Sequence, residues 1–274
     1  MRQKSLNSLN MFWTKFKLKN SIYLCSIFFI ASACSGDDLT ENNVVKQVET
    51  AKETLSEEEK IIRQVENILD INAAENYDIQ IQYKHIDPDT LKDALILVNR
   101  KEFGHQKAKN TNTERFFEST GHTGLYNFVF LKLGGSDKLI TTAPVGSNAD
   151  YPLTVEFLEL TSKAHKDFIV EYRVRNSLHR NYYTVRKDKM FLTFSCPVFD
   201  SIGAPKPVAY DIVHTDSEVR IAKDIALYDG RIKDYNPDEI ENINFYTPKE
   251  IIRDGGLYVF FIFDDKKMKY VTPM

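Results

Sequence analysis

The sequence predicts a mainly β fold: an antiparallel β-sandwich or barrel-like domain with an N-terminal helix and short helical insertions, with α+β as the alternative. Three observations carry this expectation. After residue 75, apolar residues stop recurring at helical spacing and alternate with polar ones, as in Ile79-Gln80-Ile81-Gln82-Tyr83. The pattern returns at 127–133, 154–160, 168–175, 190–196, 208–213 and 257–263. Turn-forming residues then separate the runs, at Gly134-Gly135-Ser136-Asp137, Asn176 to His179 and Asp264 to Lys267. Short strands joined by turns, without the strand–helix rhythm of a parallel sheet, make antiparallel layers.

The elements follow in order. Residues 34–55 are polar, acidic and free of aromatic side chains, which suits a solvated tether. Ser56 with Glu59 three residues on forms a capping box, so a helix is expected over 56–74, with Ile61, Ile62, Val65, Ile68 and Leu69 on one face. Val44, Val48, Ala51, Leu55, Ile62, Val65 and Leu69 also follow a heptad register broken at Glu58, which leaves a self-associating stalk open. A single amphipathic helix packed on the domain is the commoner outcome of so short a pattern. Residues 75–274 are expected to form a single β-rich domain. Within it, the Asp87-Pro88 cap favours a helix to about Val98, although Ala94 to Val98 also suits a buried strand. Residues 103–125 are a polar connection in which 113–119 suits a helical turn or two. Asn236-Pro237 and Thr247-Pro248-Lys249-Glu250 are helix-start signals, the second helix ending before Gly255-Gly256.

Composition narrows the class. Of 274 residues, 42% are hydrophobic, and 36 Lys+Arg face 39 Asp+Glu, which excludes a disordered chain and a polytopic membrane protein. The charge is unevenly placed. Arg2, Lys4, Lys15, Lys17 and Lys19 precede Cys34 with no acid among them, so the remaining 31 bases and 39 acids leave the rest at −8. An acidic body argues against nucleic acid as a partner.

The basic segment leads into Ser21 to Ala33, a mostly apolar run of 13 residues, and then into Cys34. Charged, apolar and small-residue segments in that order read as a secretory signal over 1–33, and the run is too short for a comfortable membrane span. Ala31-Ser32-Ala33-Cys34 resembles the lipobox of bacterial lipoproteins, with Ala31 standing where leucine is usual. The resemblance implies cleavage between Ala33 and Cys34 by signal peptidase II and attachment of diacylglyceride to the Cys34 thiol, with acylation of the new amino terminus. It implies a lipid-anchored protein of the cell envelope, and the Ser35-Gly36-Asp37-Asp38 run is similar to acidic export tags of outer-membrane surface lipoproteins. Of three cysteines, Cys25 would leave with the signal and Cys34 would carry lipid. Cys196, in an apolar run, is then expected to be a small core residue without a disulfide.

The chain lacks Gly-x-Ser-x-Gly, His-Glu-x-x-His, Cys-x-x-Cys, phosphate-loop and dinucleotide-binding signatures. No catalytic residue, metal or cofactor is therefore assigned. His85-Ile86-Asp87-Pro88-Asp89 holds potential ligands but is read as a helix cap. His105, Arg115 and His122 mark a possible loop site in 103–125. The main candidate is the basic hairpin from Tyr172 to Lys189. Arg173, Arg175, Arg180 and Arg186, with Tyr182, suit an anionic sugar or phosphate, and alternation places Arg173 and Arg175 beside Glu171, expected to be exposed. Trp13 is the sole tryptophan and would leave with the signal, so stacking on neutral sugars would fall to the 13 tyrosines after Tyr23. The expected function is non-catalytic binding of an envelope protein, a glycan or an anionic ligand by a membrane-anchored domain. A surface hydrolase with dispersed carboxylates and a stalked structural subunit are the alternatives.

Overall fold

A computed structural model describes residues 55–110 and 124–273. The signal segment, Cys34, most of the tether, the heptad positions before Leu55, and the 113–119 turn with Arg115 and His122 lie outside the described residues.

Helix α1 (Glu57–Leu69) starts where the capping box places it. Ser56 Oγ accepts from Glu59 N at 3.2 Å, and Glu59 Oε2 accepts from Ser56 N at 2.7 Å. The helix ends earlier than the 56–74 expected, because Asp70 turns left-handed with φ 51°. Ile61 and Val65 are buried under it, whereas Ile68 stays exposed.

Those two side chains rest on a five-stranded antiparallel sheet made of β1 (Asp78–Lys84), β2 (Asp93–Asn99), β3 (Gly124–Lys132), β4 (Leu139–Thr141) and β5 (Val145–Ser147). Strands β1 to β4 lie in chain order, and β5 also pairs with β3. Strand β2 corrects the helix expected after Asp87-Pro88. Asp87 and Asp89 cap turns instead, accepting from Asp89 N at 3.0 Å and Leu91 N at 2.7 Å. All seven residues of β2 are buried: Ala94, Ile96 and Val98 pack with Ile61 and Val65, and Leu95 and Leu97 face the second sheet. A strand covered on both sides needs no polar alternation, so its period alone does not separate it from a helix. The polar 103–125 connection begins as helix α2 (Lys101–Asn110).

The second sheet is an eight-stranded antiparallel meander in chain order. It contains β6 (Thr154–Leu158), β7 (Asp167–Val174), β8 (Ser177–Arg186), β9 (Lys189–Asp200), β10 (Val208–Thr215), β11 (Asp224–Ile232), β12 (Ile251–Asp264) and β13 (Lys269–Val271). Phe168, Val170, Tyr183 and Val185 pack on Leu95, Leu97, Val129 and Leu131 of the first sheet, which makes the sandwich. The opposite face is also a core. There Ile169, Tyr182 and Cys196 meet Ile225, Leu227, Phe263 and Tyr270. Phe194 of β9 lies 4.6 Å from the Phe261 ring and 6.0 Å from the Tyr270 ring, so the sheet curls over and packs against itself. Bulges between β8 and β9 and between β11 and β12 assist the curl. At the second, Gly230 admits close backbone approach: a Cβ there would stand 3.1 Å from Asp211 N and 3.3 Å from Ala209 O.

The fold is thus the mainly β, sandwich-like one expected, its barrel-like character confined to the larger sheet. Asn236-Pro237 opens a 3₁₀ turn (Pro237–Glu239), with Asn236 Oδ1 accepting from Asp238 N. The helix expected after Thr247 does not form. The chain enters β12 at Ile251 and continues through Gly255-Gly256, its side chains held by contacts such as Arg253 stacked 3.6 Å from the Tyr228 ring centre. Among the described residues no helix is long and apolar enough to cross a membrane.

Candidate functional site

The basic hairpin turns at Arg175-Asn176, one residue earlier than the expected turn, with Arg175 exposed and left-handed at φ 52°. That turn pairs Glu171 with Arg180, Arg173 with Leu178 and Ile169 with Tyr182. Glu171 and Arg173 therefore share a face opposite Val170 and Tyr172, as alternation requires. Arg175 is exposed as expected, but the exposure expected for Arg173 is overturned, because this face is the inside of the curled sheet.

Arg173 is fully buried. Its Nε donates to Arg175 O at 3.0 Å, Nη1 to Tyr246 O at 2.7 Å and Nη2 to Ile243 O at 2.8 Å. The guanidinium carbon sits 4.9 Å from the Phe199 ring centre and 5.8 Å from that of Tyr151. Burial lowers its pKa, yet an arginine stays charged. Carbonyl dipoles and ring faces balance that charge, and Arg173 is a strut under the segment between β11 and β12 rather than a ligand-facing group.

Arg180 is partly open. Its Nε donates to Glu171 Oε2 at 2.9 Å, each side chain being 26% exposed. The pair borders a cleft of about 330 Å³ with Tyr210, Asp211, Lys249 and Glu250 on its rim and Leu178, Val198 and Phe199 in its floor. Each rim carboxylate is already in an ion pair: Glu171 with Arg180, Asp211 with Arg253 at 2.7 Å, and Glu250 with Lys233 at 2.7 Å. Behind the cleft, the buried Tyr182 hydroxyl lies 3.3 Å from His214 Nε2. Burial, with the nearby charges of Arg180 and Lys223, depresses His214 to about 4, and burial pushes the Cys196 thiol up to about 12. Cys196 is an inert core thiol, as its apolar surroundings predicted.

Arg186 lies elsewhere. Six residues of strand separate it from Arg180, roughly 20 Å. Its Nη1 donates to Thr184 Oγ1 and Val185 O, and its Nη2 donates to Thr161 Oγ1 at 2.6 Å, beside the buried Asp167 that holds Thr161. The five hairpin residues therefore do not form one patch: Arg180 faces the cleft, Arg173 and Tyr182 are buried, Arg175 is in the turn, and Arg186 braces the far end of β8. In the loop candidate, His105 Nε2 meets Asp150 Oδ1 at 3.0 Å, and Lys101 Nζ reaches the same oxygen at 3.2 Å. Against the upward push of burial, the hydrogen bonds from His105 and Lys101 hold Asp150 below the usual carboxylate range. Sequence reading missed Glu171 as the partner of Arg180, although a two-residue turn at 175–176 fixes that register. Nothing local in the sequence brings Tyr210 or Lys249 to the same cleft.

No protein-family model, curated protein or solved structure matches this chain.

Proposed function

We propose that this chain is a lipid-anchored protein of the bacterial cell envelope, in the outer membrane, whose β-rich domain binds an anionic group of an envelope protein or glycan in the Arg180 cleft. The anchor is supported by the Ala31-Ser32-Ala33-Cys34 sequence behind its short apolar run. Two or more acyl chains hold a protein to a bilayer where one does so only marginally. For the domain, binding without catalysis is supported above all by the ion pairing of every carboxylate on the cleft rim. Hydrolysis by dispersed acids needs a facing pair, one able to hold a proton and the other free to act as base or nucleophile. Arg180 donates Nε to Glu171 and also hydrogen-bonds the Tyr182 hydroxyl, and a guanidinium held in this way is the chemistry that suits a carboxylate, sulfate or phosphate.

Two experiments test this. Cys34→Ala should abolish labelling by a fatty-acid analogue and shift the protein out of the membrane fraction; unchanged labelling and fractionation would remove the anchor. Arg180→Gln should cut retention of partners from envelope extract while the fold persists, and undiminished retention would remove the cleft from the binding surface.

A further inference from the structure

A second cavity lies on the other side of β8. Strands β4 and β5 are three residues each, and beside them a space of about 340 Å³ opens between the sheets. That volume falls in the roughly 300–1,000 Å³ range of small-molecule sites. One wall is the segment 141–146, and the other is formed by Tyr172, Asn181, Tyr183, Met190 and Leu192. Among the described residues no charged side chain lines it.

Its polar groups are fixed in place: Tyr172 also hydrogen-bonds Ser195, whereas Asn181 and Tyr183 are weakly engaged. The Tyr172 hydroxyl donates to Asn181 Oδ1 at 3.4 Å, and Asn181 Nδ2 donates to the Tyr183 hydroxyl at 3.4 Å, both near the outer limit of a hydrogen bond. An asparagine amide carries two donor hydrogens and two acceptor lone pairs, so half of its capacity is unspent. The Tyr183 hydroxyl hydrogen meets no acceptor among the described residues, where the hydroxyl only accepts from Asn181. Both rings are held rigidly. Tyr172 stacks on His179 at 5.6 Å and 22°, and Tyr183 stacks on Phe168 at 5.2 Å and 16°. Burial holds His179 below the ordinary imidazole value, so it adds no charge to the wall near neutral pH.

We propose that this cavity binds a neutral, hydroxyl-rich ligand, a saccharide without carboxylate, sulfate or phosphate groups, through Asn181 and Tyr183. An anion would find no cation among the described residues here, and an apolar ligand would strip water from an amide and two phenols without replacing their hydrogen bonds. Sugar hydroxyls donate and accept at once, which is the complement of an amide set between two phenols. Asn181 follows Arg180 in the chain, so their side chains leave opposite faces of β8, and the two sites stand or fall separately.

The test uses the full-length protein, purified in a detergent without a sugar headgroup and applied to an array of neutral and acidic oligosaccharides. Retention of neutral oligosaccharides is expected, weakened about tenfold or more by Asn181→Ala and severalfold by Tyr183→Phe, and unaffected by Arg180→Gln. If Asn181→Ala does not fold, as judged by circular dichroism, Tyr183→Phe, which removes one hydroxyl only, decides alone. Retention of acidic oligosaccharides only, retention of none, or retention indifferent to the tyrosine hydroxyl would each overturn the proposal.

Discussion

Each sheet is fastened to a neighbouring segment by one buried arginine, and the two solve the same electrostatic problem differently. On the five-stranded sheet, Arg100 clasps Glu75 with two bonds of 2.5 and 2.6 Å, donates to Leu69 O, and stacks 4.2 Å from the Phe103 ring centre. It ties the end of α1 and the approach to β1 onto the sheet. On the eight-stranded sheet, Arg173 does the equivalent for residues 243–246 with three carbonyls, two rings and no carboxylate. A charge balanced by another charge fails when either partner is lost, because the survivor is left buried and unpaired. A charge balanced by dipoles leaves only neutral carbonyls behind. Salt bridges are therefore a poor guide to which arginine matters to the fold.

The comparison breaks most directly at Glu75. Glu75→Ala should destabilise the protein by about 3–5 kcal/mol in urea unfolding, since it strands the Arg100 guanidinium. Combining Arg100→Met with Glu75→Leu should recover most of that loss, and a double variant as unstable as the single one would refute the charge-pair account. Arg173→Met should cost less, about 2–3 kcal/mol, by leaving the carbonyls of Ile243 and Tyr246 unsatisfied. It should also raise hydrogen exchange in 243–246 more than in β7. Protection unchanged in that segment would show that Arg173 is not its strut.

A smaller effect separates the curled interior from the sandwich core by pH. His214 titrates near 4 in the folded protein, below the ordinary imidazole value near 6.5, so folding favours its neutral form. Its contribution is complete above pH 6.5 and is lost as the pH falls through about 4. Melting curves between pH 7 and pH 4 should therefore flatten in His214→Gln relative to the parent; identical slopes would mean that His214 does not sense the burial assigned to it. The smallest stability change is expected for Arg180→Gln, within about 1 kcal/mol, because its pair with Glu171 is partly hydrated. Its binding phenotype should nevertheless be large.

Much of this was legible beforehand. The capping box at Ser56 and Glu59 placed the start of α1, because its two hydrogen bonds are local. Alternation located strands β1, β3, β6, β7, β9, β10 and the second half of β12. It failed at β2, where burial on both faces erased the polar half of the pattern. The Thr247-Pro248-Lys249-Glu250 signal failed because sheet pairing of the following residues outweighed a local helix preference. The candidate site was legible only as an inventory. Arg180 is its centre, whereas the curvature of the sheet takes Arg173 and Tyr182 into the interior and Arg186 braces the far end of β8.

The order of residues along each strand determined which side chains keep company, since successive residues in an extended chain must point to opposite sides. It could not say which side is wet. That depended on the eight-stranded sheet bending until Phe194 met Tyr270, a contact across 76 residues of chain that no local pattern encodes. The same bend buried Arg173, left Arg180 at the edge of a cleft, and set Asn181 in a different cavity.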